Sequence, residues 1–213
     1  MTLLGQFALW TALLIGLWGA GIGFSGQWQD RPELARTVTR SAHAILLCML
    51  VAAASLWQGL ISHDFNIEYV AAYTSRNLPP YYIVSAFWAG QKGSLLFWAV
   101  VLSLFGSLAQ LLTSRRYADL LPYVAAVTGG VVVFFVSVMI FAANPFERLP
   151  FTPPDGRGLN PQLQNVGMVI HPPMLYLGYI SITVPFAFAV GALLSRKLDT
   201  GWIHAIRKWT LVS

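Results

Sequence analysis

The sequence predicts an all-α fold, a polytopic transmembrane helical bundle with five complete helices and the start of a sixth. Three observations predict it. Of 213 residues, 56% are hydrophobic and only 10% charged, whereas a water-soluble domain usually carries about 25% charged residues. Five segments lack any Asp, Glu, Lys or Arg. Each is close to the roughly 20 apolar residues that a helix needs to cross hydrocarbon. Lipid cannot satisfy backbone hydrogen bonds, and a helix satisfies its own. Membrane strands would be about 10 residues long with alternating polarity, and these segments are longer and uniformly apolar.

The first segment is about Leu3–Phe24. Met1–Gln6 carries no cation, and the apolar stretch exceeds the roughly 7–15 residues of a signal-peptide core, so it is assigned as a helix. The second is about Ser41–Ile61 and holds the single cysteine, Cys48. One cysteine gives no disulfide and no dithiol pair. The third and fourth are about Ser94–Leu112 and Leu120–Ala142. The fifth is about Met174–Leu194. Arg207-Lys208 then marks a membrane edge, and Trp209–Ser213 is read as the start of a sixth helix, as if the bundle continued in further residues or a second polypeptide.

The connections set the orientation. The loops 25–40, 113–119 and 195–208 carry Arg31, Arg36, Arg40, Arg115, Arg116, Arg196, Lys197, Arg207 and Lys208. The longer loops 62–93 and 143–173 carry Arg76, Lys92, Arg148 and Arg157. The positive-inside rule places the first set in the cytoplasm and the N-terminus outside. The net charge of +5 therefore reflects topology. A nucleic-acid surface would gather its cations on one face.

The outer loops hold the candidate chemistry. Loop 143–173 is rich in Pro, Gly and Asn, the residues of ordered turns. His171 closes it, with Pro172 and Pro173 placed in the first turn of the fifth helix, where their missing N–H groups cost little. Imidazole is a frequent axial ligand of haem iron; the ordinary alternative is an interfacial histidine bonded to a carbonyl. The aromatics Tyr81, Tyr82, Phe87, Trp88 and Trp98 suit either headgroup anchoring or a ligand platform. Gly90 and Gly93 predict close backbone approach. His43 is placed near the start of the second helix, within reach of water. His63 is placed in a surface turn and His204 in a solvated basic loop.

The run Trp88-Ala-Gly-Gln-Lys-Gly-Ser-Leu-Leu-Phe-Trp98 resembles the start of a helix in CcmF-type cytochrome c haem lyases. So do Asn144-Pro-Phe-Glu-Arg148, Pro154-Asp-Gly-Arg-Gly-Leu-Asn-Pro-Gln-Leu-Gln164, Ile170-His-Pro-Pro-Met-Leu-Tyr-Leu-Gly-Tyr179 and Val184-Pro-Phe-Ala-Phe188. The resemblance covers nearly the whole chain, as the N-terminal part of such a lyase. It implies transient binding of b-type haem at the outer membrane face, with His171 as an axial ligand. Trp88, Pro172, Pro173 and Tyr176 are the accompanying cofactor-binding candidates. It implies thioether attachment to apocytochrome c, and partners that include a haem chaperone, other maturation proteins and a chain carrying the remaining helices. It implies residence in a bacterial inner membrane or an organellar one, in contact with lipid and not with nucleic acid. The family's tryptophan-rich motif and second outer-loop histidine are not found here, so the chain alone is expected to be unable to attach haem. A transporter or structural subunit is the competing class. Gly129-Gly130 and Pro185 are possible helix breaks, but neither has the ionisable midplane partner that transport usually needs.

Overall fold

A computed structural model describes residues 2–196 and 201–212; Met1, the stretch 197–200 with Lys197, and Ser213 lie outside the described residues. The protein is all-α, with no strand among the described residues. Five helices are long and apolar enough to cross a membrane. They are α1 (Thr2–Ser25), α2 (Pro32–Ile61), α5 (Gln91–Leu112), α6 (Leu121–Phe141) and the broken fifth span formed by α7 (Val166–Ser181) and α8 (Thr183–Leu194). Two shorter helices, α3 (Glu68–Tyr73) and α4 (Pro80–Ala89), lie inside the connection 62–93. A twelve-residue helix, α9 (Gly201–Val212), follows α8.

Helix α6 is the centre of the bundle, packed against α1, α2, α5 and α8, while α7 leans on α5. The membrane-crossing stretches of the five spans are apolar all round, so burial alone separates their faces. In α2, Val38, Ala42, Ile45, Met49, Ala52, Leu56 and Leu60 form a buried stripe at helical spacing, while Leu47 is 64% exposed on the far side. Such an exposed leucine suits hydrocarbon as its solvent. Packing between apolar helices in lipid relies on small residues that let backbones approach. Gly23 of α1 faces Ala126 of α6, and Gly16 faces Val133. Gly19 instead faces Ser41 of α2, where an added Cβ would lie 2.6 Å from the hydroxyl. The Gly19 and Gly23 pair therefore serves two neighbours inside the bundle.

Several expectations need correction. Helix α2 begins at Pro32, about nine residues before Ser41, because Pro at the first helical position is pre-set for the α conformation. Arg36 and Arg40 consequently sit on helix, and His43 lies about three turns in. There His43 Nδ1 is 2.6 Å from Ser107 Oγ on α5. The fifth span begins at Val166, about eight residues before Met174, because Asn165 caps it by accepting the Met168 N–H at 2.9 Å. Pro172 and Pro173 thus stand in the interior of α7, where they deny hydrogen bonds to the carbonyls four residues back. The same span breaks at Ile182, three residues before Pro185, whose missing N–H leaves Ser181 without its helical donor. The Gly129-Gly130 pair leaves α6 continuous.

Helix α9 packs along α8 and also touches α7 and the 3₁₀ turn Arg115–Leu120. Trp202, Ala205, Ile206 and Trp209 pack on the cluster of Leu121, Val184 and Phe188, and Trp209 meets Phe105 at 6.0 Å between centroids. The sixth helix therefore starts before Trp209, and Arg207 and Lys208 are part of it.

The close α1–α6 crossing is directly testable. Gly23→Ala adds a methyl that overlaps Ala126, and should destabilise the bundle by about 1–3 kcal/mol. Gly21→Ala meets nothing within 4 Å and should be close to neutral. Thermal unfolding of the two variants in detergent measures the difference.

Candidate functional site

The two long connections, 62–93 and 143–165, fold as one cap over the end of the bundle where the chain begins. Their backbones pair directly. Glu68 N–H donates to Glu147 O and Leu149 N–H to Asn66 O, each at 2.9 Å, forming an antiparallel bridge between Ile67 and Arg148. The Pro-Asp-Gly-Arg turn then closes on the end of α3. Arg157 N–H donates to Ala71 O at 2.8 Å and Gly158 N–H to Thr74 O at 3.1 Å. The Asp155 carboxylate accepts the Arg76 and Gly156 N–H groups, and these donors hold it below the usual aspartate range. Gly156 is required there, since a Cβ would strike the Thr74 carbonyl.

Charge and shape pin the cap to the helices. Lys92, in the first turn of α5, donates to Glu68 at 2.5 Å and Glu147 at 2.7 Å. That ammonium holds the Glu147 carboxyl below the usual range. Arg148 donates to Thr2 Oγ1 of α1. Phe146 is fully buried over Gly5, where any side chain would enter its ring. Tyr69 is buried at the corner between α4 and α5, and burial pushes its phenol up, so it stays a neutral donor. Its hydroxyl donates to Ala86 O at 2.9 Å, with Phe87 O at 3.1 Å, and accepts the Gly90 N–H at 3.1 Å. Gly90 and Gly93 leave room for the Tyr73 and Tyr69 rings, the close approach expected of them.

The cap places α4 beside α7, and a cleft of about 190 Å³ lies between them. Ser85, Trp88, Ala89, Leu163, Met168, Pro172 and Tyr176 line it. The α7 residues among them recur every fourth position, so they share one helix face. Tyr176 packs edge-on against Phe97 at 5.6 Å and tilted against Trp98 at 5.5 Å, and Trp88 lies 5.6 Å from Phe97. The Trp88 indole N–H is buried without an acceptor, a state that native proteins rarely leave unexplained.

Of the candidates read from sequence, Trp88, Pro172 and Tyr176 come together in this cleft. His171 and Pro173 are not among its lining residues. His171 is exposed on the next face of α7, beside Gly167, Met174, Leu175 and Gly178. Its position within α7, not before it, sets that direction. Sequence reasoning missed Leu163, Met168 and Phe97. The Asn160-Pro-Gln-Leu-Gln run was the available signal for Leu163, because Asn160 caps the short turn that presents it. Phe87 proves to be core, and His204 is exposed on α9. His63 adopts a left-handed φ of 52° at the end of α2, with its ring edge on Phe65.

Tyr69→Phe tests the corner that positions Trp88. The loss of one hydroxyl strands the Gly90 N–H, and the expected cost is about 1–3 kcal/mol. Hydrogen exchange should accelerate at Gly90 and along the start of α5, while α1 keeps its protection.

The chain resembles known proteins along almost its entire length. Residues 88–212, a stretch that opens on Trp88 and includes His171, match the family described as "Cytochrome C assembly protein". The cytochrome c-type biogenesis protein CcmF of Pseudomonas aeruginosa is 37% identical over 211 residues, which is 99% of this chain and 32% of that protein. CcmF of Escherichia coli is 37% identical over 97% of this chain and 31% of its own. The solved structure "Cytochrome c Heme Lyase CcmF" superposes with a TM-score of 0.82 at 30% identity, over 99% of this chain and 33% of that one. This chain thus spans about a third of the length of the relatives it matches. The chain belongs to the cytochrome c assembly protein family.

Proposed function

We propose that this chain forms part of a cytochrome c haem lyase and supplies one axial ligand, His171, to b-type haem held as substrate at the outer membrane face. The observation that carries the reading is the placement of His171. It stands on an unpartnered apolar face of α7, next to the aromatic cleft whose indole N–H lacks an acceptor. Ile170 is 54% exposed and Met174 62% exposed on this part of α7. A porphyrin edge meets apolar side chains there and keeps its iron toward imidazole.

The cleft itself is too small to enclose haem. Ligand pockets usually measure about 300–1,000 Å³, against about 190 Å³ here. Haem therefore lies across the α7 face, with the cleft receiving one edge. The ring contacts of Tyr176 with Phe97 and Trp98 fix the wall of the cleft. The other side of the haem, and its second axial ligand, come from residues outside this chain. The chemistry is then addition of each apocytochrome thiol across a haem vinyl group. Sulfur bonds to one vinyl carbon and the proton goes to the other, so no oxidant is needed. Apocytochrome c, a haem-delivering chaperone and other maturation proteins are the proposed partners.

The distribution of charge supports an outward-facing cap in an inner membrane. At the cap end Lys92 is ion-paired and Arg148 and Arg76 are held by neutral protein acceptors. The larger set of cations lies at the opposite end. Cysteines placed at Asn66 and Asp155 should react with an impermeant thiol reagent added outside, and one at Ser114 only after the inner face is opened. Labelling in the reverse order would invert the topology and remove the proposed haem site from the cytochrome side.

His171→Ala, in the assembled lyase, should abolish cytochrome c maturation while the protein remains in the membrane. Added imidazole should restore part of the haem absorbance, since it replaces the ligand without the backbone. His204→Ala should be close to silent. Normal maturation and an unchanged haem spectrum in His171→Ala would end the axial assignment.

A further inference from the structure

We propose that the groove between α1 and α2, at the bundle end opposite the cap, is a binding site for one anionic phospholipid. The proposal is independent of the haem reading. The groove measures about 460 Å³ and is lined by Leu14, Ile15 and Trp18 of α1 and by Thr37, Arg40, Ser41 and Ala44 of α2. It forms because Gly19 and Ser41 bring the two helices close at one point, while the small Ala44 leaves space beside the Leu14 and Trp18 side chains. Leu14 is 64% exposed and Trp18 40% exposed, so the groove opens sideways.

Its polarity runs along the membrane normal. Helix α2 has 30 residues, which is about 45 Å of helix against about 30 Å of hydrocarbon. The excess lies at the Pro32 end, since Ser41–Ile61 alone spans the apolar core. Thr37 and Arg40 therefore stand at headgroup depth and Leu14 and Ala44 at acyl-chain depth. That graded order matches a phospholipid, with its phosphate at the arginine and a chain along the apolar wall.

Charge selects the kind of lipid. Arg36 and Arg40 are one turn apart on α2, both exposed, and neither makes an ion pair among the described residues. Among the described residues no carboxylate lines the groove. Asp30 and Glu33 at the helix start are the acids nearest in sequence, and neither is within ion-pair reach of either arginine. Basic pockets between membrane helices favour anionic headgroups by such attraction.

The test is native mass spectrometry of the purified protein released from nanodiscs of equal parts phosphatidylglycerol and phosphatidylcholine. The wild-type protein should retain one phosphatidylglycerol in preference to phosphatidylcholine. Arg40→Gln should weaken that preference about fivefold, and the double change with Arg36→Gln should erase it. Ala44→Phe keeps both cations and fills the groove, and it should expel the lipid while thermal unfolding stays cooperative. Arg115→Gln with Arg116→Gln should leave retention intact. Equal retention of the two lipids by the wild type would overturn the proposal, and so would unchanged retention in both Arg40→Gln and Ala44→Phe. Displacement by inorganic phosphate alone would show a free-anion site and would also overturn it.

Discussion

Hydrocarbon offers a peptide N–H no partner, and the departures from regular helix in the fifth span and in the two long connections are arranged around that fact. The spans close their own hydrogen bonds. Where the fifth span cannot, at Pro172, Pro173 and Pro185, the damage is confined to that one span, which is divided into α7 and α8. The irregular backbone of the two long connections is gathered at one end, where its groups pair with each other. The Ile67–Arg148 bridge, the Pro-Asp-Gly-Arg turn on α3 and the Tyr69 hydroxyl at the α4–α5 corner are one solution to one problem.

That solution gives the chain a rigid cap, and rigidity gives it a site. Lys92 between Glu68 and Glu147 ties α5 to both connections, and Arg148 and Phe146 tie them to α1. Exposed ion pairs contribute little individually, but this lysine joins three segments that are distant in sequence, so it specifies register more than it adds stability. With the cap fixed, α4 is held against α7 and the aromatic wall of Trp88, Phe97, Trp98 and Tyr176 is preformed. His171 then has a defined direction, because it stands on helix and not on a loop.

The opposite end of the bundle follows other rules. There the connections are short, the cations are numerous, and α2 overreaches the hydrocarbon by about three turns. Small residues on α1 let it approach both α2 and α6, and the same closeness at Gly19 leaves a lateral groove on the lipid side. The face that carries the proposed haem chemistry and the face that carries the proposed lipid are thus products of the same packing at opposite depths.

Much of this was legible in the residues. Runs without charge gave the five spans, because length and polarity alone decide what hydrocarbon accepts. The asymmetry of arginine and lysine gave an orientation, and the motifs around Trp88 and His171 gave the family. Glycines at 90 and 93 announced a close approach, since only their lack of a side chain permits one. Helix starts were less legible: Pro32 and Asn165 begin helices inside segments that charge or proline content marks as loops. The union of two connections some eighty residues apart was not legible at all. No local pattern states that Glu68 meets Glu147 or that Leu163 faces Trp88. Those contacts exist only because five packed helices bring both connections to one end, and tertiary proximity, not propensity, chooses the partners there.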